Sequence, residues 1–231
     1  MKRVKFRNEQ FENIVRLKAV YIAAGNPVVS MDTTEELQVN DHDFSSQADG
    51  IVIPHGIYDI QRNSGYINLG TSHDSSEFAC DCIRNWWYNQ GRFDHLNATS
   101  ILVLCDGGGS NSSGHYIFKQ DLQALADEIG IDFRIAHYPP YTSKYNPIEH
   151  RLFPHVTRAC QGIVFRERRV GQGTDGEEHT RQGLKVTVQI ADKVYQTRRK
   201  AAKDFKETMR IVFDEFLPQW NYTAVPSAGV I

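Results

Sequence analysis

Apolar residues recur at spacings of three and four near the start of the chain, at Phe11, Ile14, Leu17 and Tyr21. That period predicts a helix over 1–24, and Gly25-Asn26-Pro27 ends it. A short β-rich run over 28–31 follows and leads into Asp32. The stretch 33–50 is polar without a period and reads as loop. Two alternating segments, 51–60 and 66–69, flank the turn-rich linker Gln61-Arg62-Asn63-Ser64-Gly65, a hairpin signal. Asp74-Ser75-Ser76-Glu77 has the cap and first-turn acid of a helix start. The helix it opens carries Phe78, Cys82, Ile83, Trp86 and Trp87 on one stripe and stops at Gly91. The continuous apolar run over 100–105 predicts a buried central strand, ending at Asp106 and Gly107-Gly108-Gly109.

A second crossover helix shows Ile117, Phe118, Leu122, Leu125, Ala126 and Ile129 on its face, with Gly130 just past its end. The segment 133–138 is the next strand, closed by Pro139-Pro140. Asn146-Pro147 combines a favoured cap with a favoured first helical residue. Ile148, Leu152 and Val156 then form a stripe that should face the sheet, with a bend expected at Pro154. Phe205, Met209, Val212, Phe213 and Phe216 predict a last amphipathic helix over 204–217. The element order is β-β-β-α-β-α-β-α: three antiparallel strands, then two reached by helical crossovers and therefore parallel to their neighbours. The fold class is α/β, a mixed sheet covered by helices.

At 231 residues, the chain can bury an adequate core without disulfides or a structural metal. No apolar run approaches the roughly 20 residues of a membrane span. The charged start MKRVKFRNEQFE lacks the apolar region of a secretory signal. Cys80, Cys82, Cys105 and Cys160 form no CxxC pair, which excludes a zinc ribbon and fits a reduced, cytoplasmic setting. The net charge of −2 hides an asymmetry. Residues 1–133 hold 10 Lys+Arg against 18 Asp+Glu, and residues 134–231 hold 16 against 10. An acidic site beside a basic, polyanion-facing surface would produce that split.

Three acids stand where a site would form. Asp32 and Asp106 end strands expected to be neighbours, and Glu149 lies in the first turn of the helix after the last strand. Sites in open α/β sheets form beyond the carboxyl ends of the strands. Carboxylates converging without a cation must either take up a proton or hold a divalent metal. Two such ions about 3.5–4 Å apart can clamp the attacking and leaving oxygens of a phosphodiester. Taken singly, each acid also has a structural reading. Asp favours turns, and Glu149 occupies the capping-box position relative to Asn146.

The segments NPVVSMDT (26–33), HDF (42–44), IPHGIYDIQRNSGYINLG (53–70), LCDGGGSNSS (104–113), HYPPYTSKYNPIEHRLF (137–153), GLKV (183–186) and WNY (220–222) carry a resemblance. Through them the chain resembles the catalytic domain of bacterial insertion-sequence transposases of the Rhodopirellula-type DDE family. The resemblance implies a ribonuclease H-like fold with a five-stranded sheet in the order 3-2-1-4-5. It implies a catalytic, metal-holding triad at Asp32, Asp106 and Glu149 and a pair of Mg²⁺ or Mn²⁺ ions. It also implies strand cleavage at transposon ends followed by transfer of the freed 3′-OH to target DNA, carried out in a homo-oligomeric complex. Candidate DNA contacts are Lys144, Asn111, His150 and Arg151. The loop 141–146 offers a cation, hydroxyls and aromatics for phosphate contact and base stacking. Arg166, Arg168 and Arg169, and the run from Arg198 to Lys206, could track a DNA backbone.

The organisation expected is an N-terminal helix over 1–25, a catalytic domain over 26–165 and a C-terminal appendage over 166–231. The chain departs from the family pattern in three places. Only some 30 residues precede Asp32, where the family carries an end-recognising region. The stretch MDTTEELQVNDHDF is short and acidic. The segment 165–183 contains Gly171, Gly173, Gly176 and Gly183 in place of an amphipathic helix. A remnant that folds without transposing, and a stand-alone nuclease of the same fold, are the alternatives.

Overall fold

The structure, a computed structural model, describes residues 5–34, 37–38, 51–108, 113–156, 176–179 and 183–227. Most of the expected 33–50 loop and most of the glycine-bearing 165–183 segment lie outside the described residues. The first strands are β1 (Val28–Thr33), β2 (Leu37–Gln38), β3 (Ile51–Asp59), β4 (Ser64–Gly70), β5 (Ser100–Cys105) and β6 (Asp132–His137). Short strands β7 (Gly176–His179), β8 (Lys185–Ala191), β9 (Ile211–Phe213) and β10 (Asn221–Ala224) follow. The helices that matter for the site are α1 (Arg7–Ala23), α2 (Ser76–Trp86), α3 (Arg92–Asp94), α4 (Tyr116–Ile129) and α5 (Pro147–Arg151).

The sheet runs β7-β8-β4-β3-β1-β5-β6-β10-β9, with β2 paired to β3. Its centre, β4-β3-β1-β5-β6, is the expected 3-2-1-4-5 order, with β1, β5 and β6 parallel and β3 antiparallel to both neighbours. The mixed α/β, ribonuclease H-like architecture is therefore as expected, and the sheet is wider than five strands. β8 adds parallel to β4, and β10 adds antiparallel to β6.

Helices cover both faces. α2 and α4 pack Phe118, Leu122, Leu125, Ile83 and Trp86 against Val29, Met31, Ile57, Ile101 and Val103. α2 continues through a π-helical turn, Trp87–Gly91, and its polar side matches β4 rung by rung. Asn85 donates to Asn68, Asn89 to Tyr66, and Gln90 to Ser64. On the other face α1 sets Ile14 and Leu17 against Val28, Leu102, Leu104 and Ala136, and α5 covers β3 and β4.

Two expectations from periodicity are corrected. The helix predicted over 204–217 is only Phe205–Thr208, and Ile211–Phe213 instead form an edge strand on β10. Branched residues in that stretch can satisfy either period, and the open edge of β10 offered ladder bonds a lone helix could not match. The helix after Pro147 does not bend at Pro154 but breaks at Leu152 (φ −110°) before resuming over 153–156. Pro154 has no N–H to give to the preceding turn, so the break falls where that bond would have formed. Ile148, Leu152 and Val156 are nonetheless all buried, as their spacing predicts.

α5 can lie this low on the sheet only because two strand positions lack a side chain. A Cβ on Gly65 would overlap the Leu152 side chain, and one on Gly56 would sit 2.9 Å from Ile148 Cδ1 and 3.0 Å from Phe153 Cε1. Gly65→Ala should therefore lower stability by about 1–3 kcal/mol, the usual cost of overpacking a core. Gly114→Ala, where an added Cβ meets nothing within 4 Å, should leave the melting temperature nearly unchanged. Thermal unfolding of the two variants checks this, and equal shifts would contradict the packing argument.

Candidate active site

β1 and β5 run parallel, with Met31 opposite Cys105. Asp32 and Asp106 each follow one residue later, so adjacent strands deliver two carboxylates to the same end of the sheet. Asp32 is only 9 % exposed. One of its oxygens accepts the Thr33 N–H at 2.8 Å, and Asp106 accepts the Gly108 N–H at 3.2 Å.

The third acid is brought in by a buried clamp. Asn146 does not cap α5 with its side chain. Its amide donates to the Met31 carbonyl at 3.2 Å and to an Asp32 oxygen at 3.5 Å. Its side-chain oxygen accepts the Ser30 hydroxyl. Ser30 Oγ in turn accepts the Ile148 N–H at 3.0 Å, so a hydroxyl from β1 does the capping. The capping box that Glu149 could have formed with Asn146 is thus not made through the Asn146 side chain, and Glu149 is left half-buried in the first turn, near enough to Asp106 to feel its charge. Ser30 was not among the residues singled out from sequence. The available signal was a lone hydroxyl inside the apolar run VVSM.

A second network fixes the end of β5. His137 Nδ1 lies 3.0 Å from the Asp106 carbonyl and Nε2 lies 3.2 Å from the Tyr222 hydroxyl. Only the tautomer with hydrogen on Nδ1 satisfies both, donating to the carbonyl and accepting from Tyr222. Burial lowers the His137 pKa to about 4, which keeps the ring neutral. His137 is held in turn through its own carbonyl, which accepts from Gln10 of α1 at 2.8 Å.

Asp32 and Glu149 are loaded electrostatically by their surroundings. Burial first, then the charge of Asp106, raises the Asp32 pKa from 3.8 to about 7, with a further contribution from Glu149. Burial and Asp106 also raise Glu149. None of the three makes an ion pair with a described residue, and among the described residues no three His, Cys, Asp or Glu side chains are drawn together as a formed metal cage. The donors are all carboxylate oxygens, and no described residue forms an ion pair with them. That set suits a hard divalent cation such as Mg²⁺ or Mn²⁺.

The other candidate residues are placed as follows. Lys144 is exposed in a short 3-10 turn, Ser143–Tyr145, with its ammonium 5.1 Å from the Tyr145 ring centre. His150 is exposed and bonds back to the Lys144 carbonyl. Arg151 is exposed and close enough to Tyr58 for its charge to act there. Asn111 lies outside the described residues, as do Arg166, Arg168 and Arg169. Arg199 pairs with Asp121 and Glu77 and so ties the chain after β8 to α2 and α4.

Because its folded pKa is raised, Asp32 contributes its full stability only below about pH 4 and loses it as pH rises through about 7. In the presence of a chelator, Asp32→Asn should therefore be more stable than the parent at pH 8, by on the order of 4 kcal/mol, and close to it near pH 4. Chemical denaturation at the two pH values measures this. A variant that is less stable at pH 8 would show that the carboxylate is compensated.

No helix among the described residues is long and apolar enough to cross a membrane. Comparison with curated proteins returns no match. The model of the Rhodopirellula transposase DDE domain matches residues 1–226, which is nearly the whole chain. Transposases of this kind act on DNA by phosphoryl transfer and generally use divalent metals, and this chain belongs to the Rhodopirellula transposase DDE domain family.

Proposed function

We propose that the chain catalyses metal-dependent DNA strand cleavage and strand transfer, with Asp32, Asp106 and Glu149 as the residues that hold the metal. The observation that carries this reading is the delivery of three carboxylates, none in an ion pair with a described residue, to one end of the sheet from three separate elements, β1, the end of β5 and α5. Bound there, two Mg²⁺ or Mn²⁺ ions would supply positive charge to the phosphodiester oxygens and make a coordinated water more acidic.

The chain's own part is positional. Ser30 and Asn146 hold the first turn of α5, which carries Glu149, against β1, and His137 holds the Asp106 carbonyl, so the backbone beside each acid is fixed. Lys144 and His150 sit exposed on the neighbouring turn and helix, where they can contact phosphates of the strand. In the first step water attacks the phosphorus, the bond to the 3′ oxygen breaks, and a free 3′-OH results. In the second that hydroxyl attacks a target phosphodiester. Transposon ends and target DNA are the partners, assembled by more than one copy of the chain.

Thermal unfolding with and without Mg²⁺ or Mn²⁺ tests the site. Metal at about 100 times its Kd should stabilise the protein by roughly 2.7 kcal/mol, on the order of 5–10 °C for a domain of this size. Asp106→Ala should abolish the shift together with metal-dependent nicking of DNA. A folded protein with neither a metal shift nor nicking would favour the non-catalytic remnant. Nicking of DNA irrespective of sequence, with no joining to a target, would favour the stand-alone nuclease.

A further inference from the structure

Three tyrosines lie between the end of β6 and α5, and the fold treats them differently. Tyr138 is buried, with its ring 6.1 Å from Phe11 of α1. Tyr145 also packs edge-on against Phe11, with ring centres 5.2 Å apart. Tyr141 is 82 % exposed, and among the described residues its ring touches no other. Its backbone has φ +63°, a left-handed conformation that a bulky side chain enters only at a cost. It follows Pro140 in a turn, the arrangement in which the second central position usually goes to glycine when φ is positive. An aromatic residue here gains little burial and no ring contact among the described residues.

The turn is nevertheless rigid. Pro139 and Pro140 have restricted φ. The buried Thr142 hydroxyl donates to the Pro139 carbonyl at 2.5 Å. The Tyr145 N–H donates to the Thr142 carbonyl at 2.9 Å and the Asn146 N–H to Ser143 at 2.7 Å. Asn146, five residues on, bonds Asp32 directly. The Tyr141 ring is thus held out into solvent by a braced loop that is anchored at the candidate active site, with the Lys144 cation on the same loop.

We propose that Tyr141 is a stacking platform for an unpaired or terminal nucleobase of the DNA strand that the acids act on. This rests on the DNA-processing reading above. An exposed aromatic face can stack on any base, but only on one whose own face is free, so the ring selects strand ends and frayed or single-stranded positions over continuous duplex. Strain kept in a turn that gains no packing from it is the pattern expected where the side chain's partner lies outside the protein.

The test uses the full chain and two fluorescent probes: a hairpin oligonucleotide with a single-stranded tail carrying 2-aminopurine, and the same hairpin with a blunt end. The parent protein should bind the tailed probe more tightly and change its fluorescence. Tyr141→Ala and Tyr141→Gly should weaken binding to the tailed probe by about five- to a hundredfold, the range of one base–aromatic stack. They should barely affect the blunt probe, and Tyr141→Phe should restore binding. Tyr141→Gly should also melt no lower than the parent, because glycine suits the left-handed backbone. A clear drop in its melting temperature would assign the ring a packing role and overturn the proposal. Equal affinities of all variants for both probes would overturn it too while leaving the DNA-processing reading standing. Failure of the parent to bind either probe would bring down both.

Discussion

Whether this sheet can carry a site depends on one buried contact, the interlock of Ser30 with Asn146. Both side chains are fully buried, so each polar atom must find a partner inside the protein. Ser30 gives its hydrogen to Asn146 and takes one from the backbone of α5, while Asn146 spends its amide on the β1 carbonyl and on Asp32. Removing either group would strand the others in a region without water, where an orphaned polar group costs about 1–3 kcal/mol. The helix that carries Glu149 is therefore locked to the strand that carries Asp32 at one angle and one height. The bare backbone at Gly56 and Gly65 is what lets it come down that far.

The site itself works against the fold. Burial and the neighbouring charges raise the Asp32 pKa to about 7, so the carboxyl is only partly ionised at neutral pH, and Glu149 is pushed the same way. The surrounding structure holds the acids in place through bonds to groups that do not titrate with them: the Asn146 amide, backbone N–H groups and a neutral His137. Support reaches the site from distant parts of the chain. Tyr222 of β10 bonds His137, and Asn221 beside it joins Gln10 and Asn13 of α1 in a buried amide cluster. The first helix and the last strand thus meet behind the carbonyl of Asp106. Segments on both sides of the central sheet contribute to the same core, which gives the wide sheet a role beyond adding stability.

Periodicity, caps and turn residues made the centre of the fold legible. The apolar stripe of α1, the unbroken run of β5 and the turn between β3 and β4 each admit one local structure, because each burial pattern has one period that fits, and the Ile148, Leu152, Val156 stripe marked the buried side of its segment although the helix breaks at Leu152. The positions of Asp32, Asp106 and Glu149 at strand ends and a helix start were legible for the same reason. What the sequence could not decide was choices between nearly equal local options. Val212 and Phe213 fit a helix or a strand, and the open edge of β10 settled it. Asn146 suited an N-cap, yet Ser30, distant in sequence, took that duty and freed the amide for Asp32. Tyr141 is one of several tyrosines in a polar loop until the backbone shows it alone in a left-handed turn. Each of these outcomes rests on a bond or a clearance between residues far apart along the chain, and local propensity carries no information about partners that only folding brings together.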